Sequence, residues 1–119
     1  MISHNTGLGE IKLEPAIYRN IAGLAASNCF GVKGMAARSR TDGLFYLLRK
    51  ESANKGVSVT FHDDNSISID LHIMVDHGVN IGVVAASIIK EVGYNVTKST
   101  GTAVKNINVH VDSIMVEEL

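Results

Sequence analysis

GVSVTFHDDNSISIDLHIMVD, residues 56–76, is the stretch whose reading decides the fold. Val57, Val59 and Phe61 alternate with Ser58, Thr60 and His62, which is the period of a strand with one buried face. After Asp63-Asp64-Asn65 the alternation resumes for longer, placing Ile67, Ile69, Leu71, Ile73 and Val75 on one face. Phe61 and Ile67 must both face the core, so the numbers of opposed residues must sum to an even value. A three-residue loop, Asp63-Asp64-Asn65, opposes His62 to Ser66 and meets that condition, with Asn65 in the left-handed position.

Downstream, Asn80 stands where a helix N-cap belongs, and Ile81, Val84, Ala85, Ile88 and Val92 keep helical spacing behind it. Ile107, Val109 and Val111 read as a last strand, and the apolar phase then shifts to Ile114 and Val116, which asks for a bulge near Asp112-Ser113. Upstream, residues 1–7 are polar and read as a flexible N-terminus, Leu8–Leu13 as a short strand, and residues 15–29 as a helix opened by Pro15. Ile17, Ile21, Leu24, Ala25 and Asn28 share one side of that helix, and Gly31 can end it. Val32, Met35 and Ala36 suit a brief strand or an extended connection, and Thr41 or Asp42 can cap a short helix burying Leu44, Leu47 and Leu48. The fold class is therefore α+β: a single domain over residues 8–119, with an antiparallel sheet of three or more strands and helices packed on one face.

The totals narrow the function classes. A length of 119 residues suits one core. Lys+Arg 11 against Asp+Glu 12 leaves no global field to steer the chain to nucleic acid or an anionic membrane. The single cysteine, Cys29, cannot form an internal disulfide and reads as a packing residue. The first residues carry no signal-peptide pattern, and no apolar run approaches the ~20 residues of a membrane helix. The expectation is a cytoplasmic protein without direct membrane insertion.

Candidate chemistry is sparse. His62, His72 and His110 fall on the polar phase of their strands with Asp70 and Asp112. His72 lies six residues past the partner of His62, roughly 20 Å away at ~3.4 Å per residue, so His110 can approach one of them but not both; no metal site is assigned. Asp63-Asp64 occupies a hairpin tip in water, and neither a nucleophile elbow nor a phosphate or dinucleotide loop is present, so no catalytic residue and no cofactor is assigned. Gly31-Val32-Lys33-Gly34 has the G-x-x-G form with which KH domains clamp single-stranded RNA, and Lys33, Arg38 and Arg40 would supply charge. The residues that follow do not read as the Ile-rich helix such a loop leads into, and nucleic acid is the alternative rather than the favoured partner. On the helix after Asn80, Val83 and Tyr94 point away from the apolar stripe, and Gly82, Ala86, Ile89 and Gly93 form a small-residue flank. Glycine inside a helix costs about 1 kcal/mol against alanine. The domain's own packing or a docking surface would each give a reason; Gly82, Val83, Ala86, Gly93 and Tyr94 are the candidate interface.

Four segments carry a resemblance: Gly9-Glu10-Ile11 leading to Ile21-Ala22-Gly23-Leu24-Ala25; Cys29-Phe30-Gly31-Val32-Lys33-Gly34-Met35-Ala36; Lys55-Gly56-Val57-Ser58-Val59 with Ile69-Asp70-Leu71-His72-Ile73; and Thr100-Gly101 through Val104 to Val109-His110-Val111. In this order and spacing they resemble the alkaline-shock-protein family of Gram-positive envelope stress proteins, in its short, housekeeping form. The resemblance implies a small cytoplasmic protein tied to cell-envelope homeostasis and stress, prone to form homo-oligomers, in some members held near the membrane by a separate anchor protein, and with no catalytic residues to transfer. The helix after Asn80 opens with less charge here than is usual in the family.

Overall fold

The computed structural model of the chain describes residues 2–38, 45–47 and 54–116, with the side chains of residues 37, 38 and 45–47 left out of the description. In chain order the elements are β1 (Ile2–Thr6), β2 (Gly9–Leu13), α1 (Pro15–Ser27), β3 (Val32–Arg38), β4 (Phe45–Leu47), β5 (Val57–Phe61), β6 (Ser66–Asp76), α2 (Ile81–Thr100) and β7 (Ala103–Met115).

The sheet is assembled on β6. Ile67, Ile69, Leu71, Ile73 and Val75 are all fully buried, so its odd-numbered face is the floor of the core. β7 lines the length of one edge, from Ser66↔Ala103 to Asp76↔Met115. β5 and β3 share the other edge end to end, β5 from Phe61↔Ile67 to Val57↔Leu71 and β3 from Met35↔Ile73 to Val32↔Val75. Both helices pack on the odd face, where Tyr18, Ala22, Ala26, Val84, Ile88, Val92 and Val96 meet it. This is the α+β domain the periodicities call for.

The β5–β6 hairpin has the expected register. Phe61 faces Ile67, the backbone N–H of His62 donates to the carbonyl of Ser66 at 2.9 Å, and Asn65 has φ 63°. The bulge in β7 also lies where the phase shift put it, with Ile73↔Val111 followed by Met74↔Ser113. Asn80 caps α2 by accepting from the N–H of Val83 at 3.1 Å, and Gly101 ends it at φ 72°.

Several expectations need correction. β7 runs parallel to β6, because a helical crossover returns the chain in the same direction; the other pairings are antiparallel. Residues 2–6, expected to be loose, form β1 against β2, since Ile2 is buried and His4 Nε2 lies 3.4 Å from the hydroxyl of Thr102. The buried stripe of α1 is Tyr18, Ala22, Gly23 and Ala26, whereas Ile17 and Leu24 are 41% and 46% exposed. Small residues let α1 lie close to the sheet, and Tyr18 can be buried because its hydroxyl bonds that of Thr102 at 2.8 Å while its ring meets Phe61 edge-on. On α2 the stripe starts at Val84 and extends to Val96, while Ile81 is 40% exposed. The short helix expected after Thr41 or Asp42 falls largely outside the described residues; its described part, Phe45–Leu47, is strand β4 paired with β3.

Two strands sharing one edge crowd the junction at Gly56. A Cβ there would stand 3.0 Å from the carbonyl oxygen of Ala36 and 3.2 Å from that of His72. Backbone cannot give way as a side-chain tip can, so Gly56→Ala is expected to cost about 1–3 kcal/mol in urea unfolding. A neutral result would mean the β3–β5 junction is looser than described.

Candidate functional site

The candidate interface on α2 separates into two parts. Val83 and Tyr94 are 66% and 61% exposed, and Gly82, Ala86 and Ile89 lie at the surface beside them. Lys98 reaches back over the Tyr94 ring at 5.5 Å from its centroid. Gly93, by contrast, is half-buried against the sheet: a Cβ there would lie 3.4 Å from Cδ1 of Ile107. The close approach inferred from this glycine is thus made within the domain, by β7. A Cβ on Gly82 would meet only the Asn80 side chain, at 3.5 Å, so nothing described in the domain requires glycine there.

The G-x-x-G segment does not form a clamp between two helices. Gly31 turns at φ 86° after α1, its carbonyl accepting from the N–H of Asp76 at 2.9 Å, and β3 begins at the next residue. Gly34 is buried in that strand opposite Met74, with a register shift beside it. Lys33 is exposed, the side chain of Arg38 lies outside the description, and Arg40 lies outside the described residues. The nucleic-acid alternative therefore loses the exposed loop it needs.

The even-numbered face of β6 carries a polar ladder that sequence reading saw only in pieces. His62 Nε2 lies 2.7 Å from the Ser68 hydroxyl, which donates to Asn106. Asp70 accepts from Asn108 at 3.1 Å and from His110 Nε2 at 3.2 Å, while His72 Nδ1 lies 3.1 Å from Asp112. The rings of His72 and His110 stack at 4.5 Å with 12° between their planes. His110 thus joins His72 and not His62, as the register requires. Imidazole lone pairs lie in the ring plane, so stacked rings send them side by side rather than toward one ion. Parallel register explains the ladder: His72↔His110 and Asp70↔Asn108 are direct partners, a pairing hidden while β7 was expected to run antiparallel.

Residues 3–116 match the profile of the alkaline shock protein 23 (ASP23) family, described as of cell envelope-related function. This chain belongs to that family. It is 35% identical over 116 residues to the uncharacterized protein YloU of Bacillus subtilis, covering 97% of this chain and 96% of that one. It is 34% identical over 114 residues to YqhY of the same organism, covering 96% and 83%. Among solved structures, MamM-CTD 215–293 is similar in fold, with TM-score 0.51 and 16% identity over 84% of this chain and 99% of that one.

In this member of the alkaline-shock-protein family, α1 and α2 flank a groove of about 530 Å³ between Leu24, Phe30 and Glu91, with Cys29 in its wall. Burial, reinforced by the charge of Glu91, pushes the Cys29 thiol up from its ordinary value, and Sγ donates to the carbonyl of Ala25 at 3.3 Å. A thiol held protonated is a poor nucleophile. Among the described residues no group of three His, Cys, Asp or Glu is placed to hold a metal ion, and no helix is long and apolar enough to cross a membrane.

The hydrogen bond from His110 holds the Asp70 carboxyl below its ordinary 3.8, helped by Asn108. A carboxylate depressed in the folded state contributes stability that is present above its unfolded pKa and lost as pH falls through the folded one. Carbonyl-carbon NMR should therefore find Asp70 titrating below 3.8, with the midpoint moving up in His110→Ala. An unchanged midpoint in that variant would show that the ladder does not act on Asp70.

Proposed function

We propose that this protein serves its envelope-related role by binding, not by catalysis, and that it associates with further copies of itself or docks on a membrane-anchored protein from the cytoplasmic side. The observation that carries this reading is the outer side of α2, where Val83 and Tyr94 stand in solvent on a rigid 20-residue helix. Single exposed apolar residues are ordinary, but a valine and a tyrosine on one helical side, with Ile89 43% exposed on the flank, offer the aromatic and aliphatic anchors that interfaces use. The protonated state of Cys29 and the stacked, carboxylate-bound histidines favour binding over chemistry. The stress role that the resemblance implies belongs to the same proposal.

The test is light scattering over a hundredfold range of concentration, with Val83→Glu/Tyr94→Glu beside the unaltered protein. The unaltered protein should gain mass beyond a dimer as concentration rises, and the double variant should not. Its thermal unfolding should stay within the ±0.5 kcal/mol usual for surface changes. Growth that continues in the double variant would remove this side of α2 as the contact.

A further inference from the structure

The outer edge of β7 is open. Over 13 residues the strand pairs only with β6, no proline interrupts it, and its far edge has no partner strand among the described residues. Such an edge presents unpaired N–H and C=O groups to any strand of matching register. From this geometry we infer that the edge pairs antiparallel with β7 of a second copy, about a two-fold axis through Val109.

Three observations select that partner and that register. The first is the spacing of the core-facing residues. Those opposite the buried residues of β6 are Val104, Ile107, Val109, Val111 and Ile114, at unequal intervals because bulges intervene at Lys105 and Asp112. The spacing is nevertheless palindromic about Val109. Turned end for end, Ile107 meets Val111 and Val104 meets Ile114, so core-facing side chains stay on the core side through both bulges. A register moved by two residues keeps parity in the middle but sets a bulge against a core residue at each end. A register moved by one sends the apolar set to the wrong face.

The second is charge. Lys105 and Asp112 are the strand's only lysine and carboxylate, one near each end. Antiparallel pairing about Val109 brings Lys105 of each copy beside Asp112 of the other, whereas parallel pairing would set like charges together. The third is the helix above. α2 packs on β7 through Gly93 and Ile107, and the α2 flank turned outward from that contact holds Gly82, Ala86 and Ile89. The same axis brings the two flanks toward each other, and small residues let helices approach closely. This gives Gly82 the reason it lacks inside the domain. Val83 and Tyr94 sit about 100° further round the helix and remain free, so this contact is distinct from the one tested above.

On the open face the register sets Asn108 opposite His110 of the other copy. A protein carrying Asn108→Cys should form a disulfide on mild oxidation when mixed with one carrying His110→Cys, both in a Cys29→Ser background, while each alone should cross-link far less. Independently, Asn108→Lys/His110→Lys should raise the dimer dissociation constant about tenfold at low salt by placing lysine against lysine. Mixing it with Asn108→Asp/His110→Asp should restore a heterodimer. Val83→Glu/Tyr94→Glu should leave a species of twice the chain mass. Equal cross-linking of the single-cysteine proteins, no cross-linking of the mixture, or a monomeric mass for the unaltered protein at every concentration would each overturn the inference. The last outcome would leave the edge to an extended segment of another protein.

Discussion

Burial of one face of β6 is the constraint on which the rest of the structure depends. Five aliphatic side chains, Ile67 to Val75 at alternate positions, are fully removed from water, each contributing on the order of 1.5–3 kcal/mol. They can be buried only if the strand is also hydrogen-bonded along both edges, because unpaired backbone beside an apolar floor is costly. An 11-residue strand is too long for any one of its shorter neighbours to cover an edge alone. The structure solves this with β5 and β3 in tandem on one side and 13-residue β7 on the other. The glycine at position 56 and the parallel crossover through α2 both follow from that arrangement.

What could be read in the sequence and what could not divide along the range of the forces involved. The hairpin, its loop, the Asn80 cap and the β7 bulge were legible because each is set by a local pattern: alternation, a turn residue, a cap, a break of phase. The direction of β7 was not legible, since Ile107, Val109 and Val111 alternate identically in parallel and antiparallel pairing. The α1 stripe was misplaced for a different reason. Size-weighted reading favours Ile17, Ile21 and Leu24, but a helix pressed against a sheet can bury Ala22 and Ala26 and leave its larger residues on the flank. β1 escaped notice because a polar segment with one anchoring isoleucine has no periodicity to find.

The candidate site shows the same division. Exposure of Val83 and Tyr94 followed from helical geometry alone, whereas Gly93 looked like part of the same surface until β7 took its place beneath it. The histidines were visible as a set on one phase, but their pairing depended on the register of two strands 38 positions apart in sequence. What results is a structural ladder in which carboxylates orient imidazoles and the stacked rings cover one another. It satisfies the polar side of a strand whose other side is wholly apolar, and in doing so it leaves the reactive capacity of those groups committed to the fold.

The bulges of β7 tie these strands of argument together. Bulges commonly protect an edge by bending it out of register with a would-be partner. Here they bracket a regular stretch, residues 106–111, and they stand symmetrically about Val109 when counted along the core-facing positions. An edge disrupted in that way rejects a generic strand, whose phase would fail at one bulge or the other. It does not reject its own copy, which carries the same interruptions in reverse order. The feature that discourages indiscriminate pairing is therefore compatible with pairing to self. For a family whose relatives here carry no assigned activity, a surface selective for its own kind is a more economical basis for function than a reactive centre.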